Sequence, residues 1–158
     1  MWLFSREGRG YGPELLMSQA HSSENYVTAA SPMTPFLFKS DNTSRLAAQW
    51  PDVWEPMRDE FIRFCHECAT NLGTPPIVIT CLSRTPIENS AVGGRPTSLH
   101  LARPCRAIDI RRRGFDQYSE HMKSHWQSRG VGWDFVIEGP PFNRKPLHFH
   151  LEADWRVV

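Results

Sequence analysis

The sequence lacks both a long apolar run and a marked excess of charge of either sign. Lys and Arg total 18 residues and Asp and Glu total 17, so the formal net charge is +1 at pH 7. Nucleic-acid-binding domains usually gather a basic excess on one face, and the short run Arg111, Arg112, Arg113 is more typical of a solvated surface. No stretch approaches the ~20 apolar residues of a membrane helix. We therefore expect no nucleic-acid partner and no membrane span.

Cysteines are also few. The four present do not form the dense framework of a disulfide-stapled chain. Cys65 and Cys68 have the CxxC spacing of a zinc or redox motif, but they lie in a helical stretch and no second CxxC follows. We interpret them as small buried apolar side chains. A redox or metal protein built on this pair is one of three hypotheses, and it predicts that replacing both cysteines with serine removes the metal.

A signal peptide is lacking as well. The apolar residues after Met1 give way at once to Ser5, Arg6 and Glu7, which leaves no apolar segment of useful length. This predicts synthesis in the cytoplasm, with any action outside the cell depending on another delivery route.

Two regions differ in composition. Residues 1–42 are rich in Gly, Pro, Ser, Thr and Asn with scattered aromatic side chains, which predicts an extended N-terminal arm that wraps the domain or docks on a partner. Residues 43–158 suit one α+β domain with a small antiparallel-rich sheet covered by helices. The patterns predict helices at 45–50, 51–72 and 115–129, strands at 75–80, 106–110, 132–138 and 147–151, and long loops at 81–97 and 139–146.

Four side chains suggest a metal site. His100 and Asp109 lie nine residues apart, and His148 and His150 are separated by one residue. Alternate residues of a strand point to the same face, so the two later histidines can face one site together. Catalytic zinc usually has three protein ligands and an open position. His100, Asp109 and one of the paired histidines make such a set.

These segments resemble the M15 peptidases in order along the chain. Val78–Pro86 looks like that family's strand followed by an arginine, and Ser98, His100, Ala107 and Asp109 are similar to its SxHxxGxAxD motif. The segments 132–138 and 148–150 resemble its closing part, which hedgehog signalling domains share. The resemblance covers roughly residues 76–152. Members include D-alanyl-D-alanine carboxypeptidases and phage endolysins that cut peptidoglycan stem peptides.

The resemblance implies a role for each motif residue. His100, Asp109 and His150 would bind Zn²⁺, with His148 as the alternative third ligand. His148 would otherwise assist catalysis, by bonding the tetrahedral intermediate or shuttling a proton. Glu138 would act as the general base. Arg84 would bind the substrate carboxylate or polarise the scissile carbonyl. Ser98 would make a hydrogen bond near the site or to the substrate.

The chain departs from the family pattern in two places. The spacing from His100 to Asp109 is longer by two residues and the motif's glycine is missing, so that Leu101–Cys105 must bulge. The family often has a glutamate three residues before its last metal histidine, where this chain has Leu147. The second departure leaves the identity of the base more open than the metal site.

Two further functional hypotheses follow. The first is a zinc-dependent peptidase that hydrolyses a D-residue-containing bond of peptidoglycan stem peptides. We expect a phage-encoded lysin, acting on the bacterial cell wall after release or as part of a virion. The alternative is a structural or virion-associated protein that retains the M15 fold, with a structural metal or no activity, and in which residues 1–42 bind an assembly partner. The two departures from the motif favour this alternative to some degree.

Overall fold

The computed structural model describes residues 27–28, 35–139 and 146–154. In these ranges lie helices α1 (Thr43–Gln49), α2 (Glu55–Leu72), α3 (Pro86–Ala91) and α4 (Ser119–Gln127), and strands β1 (Val27–Thr28), β2 (Phe36–Phe38), β3 (Ile77–Cys81), β4 (Ala107–Arg111), β5 (Trp133–Glu138) and β6 (His148–Ala153). The predicted α+β class is confirmed. None of the helices in these ranges is long and apolar enough to cross a membrane.

The strands form one sheet in the order β1-β2-β3-β4-β6-β5. β2 and β3 run parallel, and every other neighbouring pair is antiparallel, so the prediction of an antiparallel-rich sheet is confirmed. β2 falls within the range predicted as an arm, and Phe36 and Phe38 are buried in the core. Most of residues 1–42 lies outside the described part of the chain, and the domain boundary after residue 42 stays a prediction.

The sheet has one apolar face and one polar face. Ile108 and Ile110 of β4 belong to the hydrophobic core, which also contains Phe61 and Phe64 of α2 and Trp126 of α4. Alternate residues of a strand point to opposite faces, so Asp109 lies on the side away from that core. The two long helices therefore cover the apolar face and leave the polar face for the site.

The long loop predicted at 81–97 was partly wrong, because residues 86–91 form helix α3. Thr85 and Glu88 make a reciprocal capping box, and Pro86 occupies the first turn. Both features stabilise a helix start, and both were visible in the sequence as Thr-Pro-Ile-Glu.

The last strand also runs two residues beyond its predicted end, to Ala153.

A buried histidine joins the two covering helices. His125 of α4 places Nε2 2.9 Å from Glu60 Oε1 and Nδ1 3.0 Å from Glu67 Oε2, both on α2. Arg129 Nε lies 2.8 Å from the same Glu60 oxygen. A charged imidazole donates from both nitrogens, so the imidazolium form satisfies both carboxylates. This pairing ties α4 to α2 beside the apolar contact between the rings of His125 and Phe64.

We predict that His125→Ala lowers the free energy of unfolding by ~1–3 kcal/mol, because it leaves the buried Glu60 with fewer donors. Urea denaturation followed by circular dichroism measures the change. His66→Ala is the control, since His66 is exposed on α2 and the variant should stay within ~0.5 kcal/mol of wild type. Equal stability of the two variants would contradict the structural role of His125.

Candidate metal centre

The sheet register brings chain-distant polar residues into one row. Asp109 on β4 is paired directly with Cys81 on β3 and with His150 on β6. Directly opposed residues of neighbouring strands share a face, so all three side chains lie on the polar side of the sheet. A second row, two residues along, contains Arg111, His148 and Glu138. Together the two rows form the floor of the site.

The Asp109 carboxylate is the common partner of the site. Its Oδ1 lies 2.9 Å from His100 Nε2 and 2.8 Å from His150 Nδ1, and His148 Nε2 is 3.6 Å away. Its Oδ2 accepts a hydrogen bond from Arg84. The side chain is almost fully buried. One oxygen thus faces three imidazoles while the other is held by a guanidinium.

The orientation of His100 argues for a cation at this point. Its Nδ1 contacts the carbonyl oxygen of Leu82, an acceptor that requires a proton on Nδ1. Burial lowers the pKa of His100, which favours the neutral ring. In that tautomer Nε2 presents a lone pair toward a carboxylate oxygen of Asp109, and a metal ion or a proton between the two atoms would offset their repulsion. The donor set of imidazole nitrogens and a carboxylate oxygen suits zinc.

Both ring nitrogens of His150 contact a carboxylate. Its Nδ1 faces Asp109 and its Nε2 lies 3.0 Å from Glu152 Oε2. Burial alone would lower the pKa of His150, but the hydrogen bonds with Asp109 and Glu152 outweigh it and raise the pKa to about 9. A coordinating imidazole is neutral at its metal-binding nitrogen. A metal bound through Nδ1 must therefore displace a proton, and Glu152 would then orient the ring.

The longer spacing between His100 and Asp109 does not separate them. The inserted segment is bonded to the start of α2: the Cys105 amide donates to the Asp52 carbonyl at 2.9 Å, and the Trp54 amide donates to the Cys105 carbonyl at 2.8 Å. These bonds fold the extra residues away, so that His100 still reaches Asp109. The expected bulge is thus accommodated outside the site.

Arg84 lies in the loop between β3 and α3 and is buried at 7 % exposure. Its Nε lies 3.2 Å from Cys81 Sγ and its Nη1 lies 3.4 Å from Asn89 Oδ1, in addition to the bond with Asp109. Asn89 belongs to α3 and is itself buried. The helix missed in the sequence therefore helps to hold the guanidinium against the carboxylate.

Glu138 and His148 are brought together as strand neighbours. They are direct register partners in the β5–β6 pair, and Glu138 Oε2 lies 3.6 Å from His148 Nε2. The register thus brings the side chains of Glu138 and His148 together although they are far apart along the chain. His148 Nδ1 donates to the carbonyl of Pro146 at 2.8 Å, in the tautomer that this acceptor requires. Hydrogen bonding with His148 lowers the pKa of Glu138, so its carboxylate is favoured.

An open cleft of about 630 Å³ lies above these residues. Ser98, His100 and Arg84 line one side and Val136, Glu138 and His150 line the other, with further lining by Val92, Gly93, Gly94, Arg95, Thr97, Leu99, Asp134, Ile137, Glu152 and Asp154. β5 is the edge strand of the sheet. A chain-like molecule lying along that edge would therefore pass over His100 and His150, with Asp109 buried beneath them.

Two neighbours of the site were not assigned a role from the sequence. Cys81 offers a sulfur that lies with the ligand atoms of His100 and Asp109 within 4.8 Å of one another. Glu152 contacts His150 and lies two residues beyond that histidine on the same strand. The i+2 spacing could have found Glu152, whereas no local pattern indicates that Cys81 points to this face.

A family model for Peptidase M15 matches residues 41–134. This is more than half of the chain, so the protein belongs to the peptidase M15 family, and the resemblance seen in the sequence is confirmed at that level. The match includes His100, Asp109 and Arg84 and ends before Glu138 and the paired histidines. No curated protein and no solved structure matches the chain.

We predict that Arg84→Lys weakens zinc binding by about 10–100-fold, because one ammonium cannot bond Asp109, Cys81 and Asn89 together. Competition with a chromophoric zinc chelator measures the affinity. Arg95→Lys is the matched control, since Arg95 is exposed at the cleft and should leave zinc affinity unchanged. Unaltered affinity in Arg84→Lys would show that Asp109 needs no such support.

Proposed function

We propose that this M15 peptidase is zinc-dependent and hydrolyses peptide bonds in the stem peptides of bacterial peptidoglycan. The observation that carries the proposal is that His100 and His150, which line an open cleft, both contact the same oxygen of the buried Asp109. The donor atoms we assign are His100 Nε2, Asp109 Oδ1 and His150 Nδ1. His148 Nε2, which is farther from Asp109, is the assisting group.

A zinc ion held there would act as a Lewis acid that activates water and polarises a carbonyl. The residues of the chain supply the proton transfers and the orientation. Asp109 keeps one oxygen for the metal because Arg84 bonds the other. Glu152 holds the outer nitrogen of His150. These outer contacts favour one ligand geometry.

Glu138 is the proposed general base. Its ionised carboxylate, at the cleft wall beside His148, would take a proton from the attacking water and return it to the leaving amine. In its imidazolium form His148, with Nδ1 bonded to Pro146, would donate from Nε2 to the oxyanion that develops on the carbonyl, or pass on the same proton. The pair is held on two hydrogen-bonded strands, which favours a constant geometry during the reaction.

The substrate contacts follow from the cleft. Arg84 and Ser98 line it beside His100, and we propose that they bind the substrate carboxylate or the scissile carbonyl. A peptide of the cell wall with a D-residue at or near the cut is the substrate class that the family resemblance implies. Action as a phage lysin, after release or within a virion, remains a prediction.

The first test is metal content. We expect one zinc per chain by elemental analysis of the wild type, and loss of that zinc in the double variant His100→Ala, Asp109→Ala. Circular dichroism of both proteins checks that the fold persists. A wild type that takes up no zinc, even when zinc is offered, would overturn the proposal.

The second test is the base. Glu138→Gln should keep its zinc and lower kcat for stem-peptide hydrolysis by about 10²–10⁴-fold, the usual contribution of a general base. Glu55→Gln, an exposed residue on α2, is the matched control and should retain activity. Liquid chromatography of muropeptide fragments measures both rates. A zinc-loaded wild type that cuts no muropeptide would instead favour the structural alternative.

A further inference from the structure

The strand that carries Cys81 is irregular at the site. Ile79 pairs with Ile110, but Cys81 pairs with Asp109, so two steps on β3 match one step on β4. This is the two-against-one count of a β-bulge, with Thr80 as the additional residue. Without the bulge Cys81 would share a face with the fully buried Ile79 and would point into the core. The bulge turns the thiol to the polar face.

The thiol then lies among metal donors. Cys81 Sγ, a nitrogen of His100 and an oxygen of Asp109 all lie within 4.8 Å of one another, the only such group of three or more among the described residues. His150 contacts the same Asp109 carboxylate but is not a member of this group. The Arg84 guanidinium donates from Nε to the sulfur at 3.2 Å and from Nη2 to Asp109. A neighbouring guanidinium favours the thiolate, which is the form that binds metals. The Arg84 guanidinium thus bonds both the sulfur of Cys81 and the carboxylate of Asp109.

We propose that Cys81 is a protein ligand, beside His100 and Asp109, of the zinc of the proposed function, and that the His150 imidazole closes on the ion as the fourth ligand. The inference rests on that proposed function and adds a sulfur donor to it. A site with four protein ligands resembles the closed, structural type, whereas three ligands leave a position open. Water and substrate could then reach the ion only if it expanded to five ligands or if Cys81 were displaced.

Cobalt spectroscopy of the full chain tests this assignment. Co²⁺ bound to a thiolate gives an intense near-ultraviolet charge-transfer band, and Co²⁺ bound only to nitrogen and oxygen gives none. We expect the band in the wild type and its loss in Cys81→Ser, with the visible cobalt absorption retained. Cys68→Ala is the control, because Cys68 is buried in the core, and it should keep the band. Zinc affinity of Cys81→Ser should fall by at least about tenfold.

The outcomes separate the two proposals. Stoichiometric cobalt binding by the wild type without the thiolate band would overturn the role of Cys81 and leave the three-ligand centre standing. No cobalt or zinc binding by the wild type would overturn both. Should Cys81→Ser fail to fold, X-ray absorption of the zinc-loaded wild type decides. A single sulfur neighbour at about 2.3 Å supports the inference, and a shell of nitrogen and oxygen alone contradicts it.

Discussion

The buried carboxylate of Asp109 is the constraint on which the site depends. A charge removed from water is costly unless it is paired and hydrogen-bonded, and Asp109 is fully buried. Arg84 bonds one of its oxygens, and three histidines converge on the other. Asp109 therefore links the guanidinium of Arg84, which α3 helps to hold, to the imidazoles of His148 and His150 on β6. The positions of the surrounding side chains follow from satisfying this charge.

The sheet holds Asp109 in place because one of its faces packs in the core and the other carries the site. Ile108 and Ile110 pack against the covering helices while Asp109, between them, faces the site. A shift of one residue in register would exchange the two faces, so apolar packing on one side maintains the polar cluster on the other. The candidate ligands Asp109 and His150 therefore lie on strands, which hold donor atoms more rigidly than loops do.

Much of the fold was predictable, and the reasons are local. The helix of residues 55–72 has a strong apolar period and a glycine stop, with Gly73 at φ +63°. The alternation of His148 and His150 predicted that both face one site, and the structure brings both to Asp109. Helix α3 was missed although its capping box is visible, because a six-residue helix has little periodicity. At Leu147 the chain lacks the glutamate that the family often has, and the strand register places Glu138 opposite His148 instead.

The sequence by itself determined the kinds of elements, the shared face of His148 and His150, and a set of donors suited to zinc. These properties depend on spacing along the chain, which sets the direction of each side chain within its own element. Only the tertiary structure decided which strands lie side by side, that Glu138 is opposite His148, and that a bulge turns Cys81 toward Asp109. Pairing between strands depends on hydrogen bonds and core packing between residues far apart in sequence, and no local pattern specifies them.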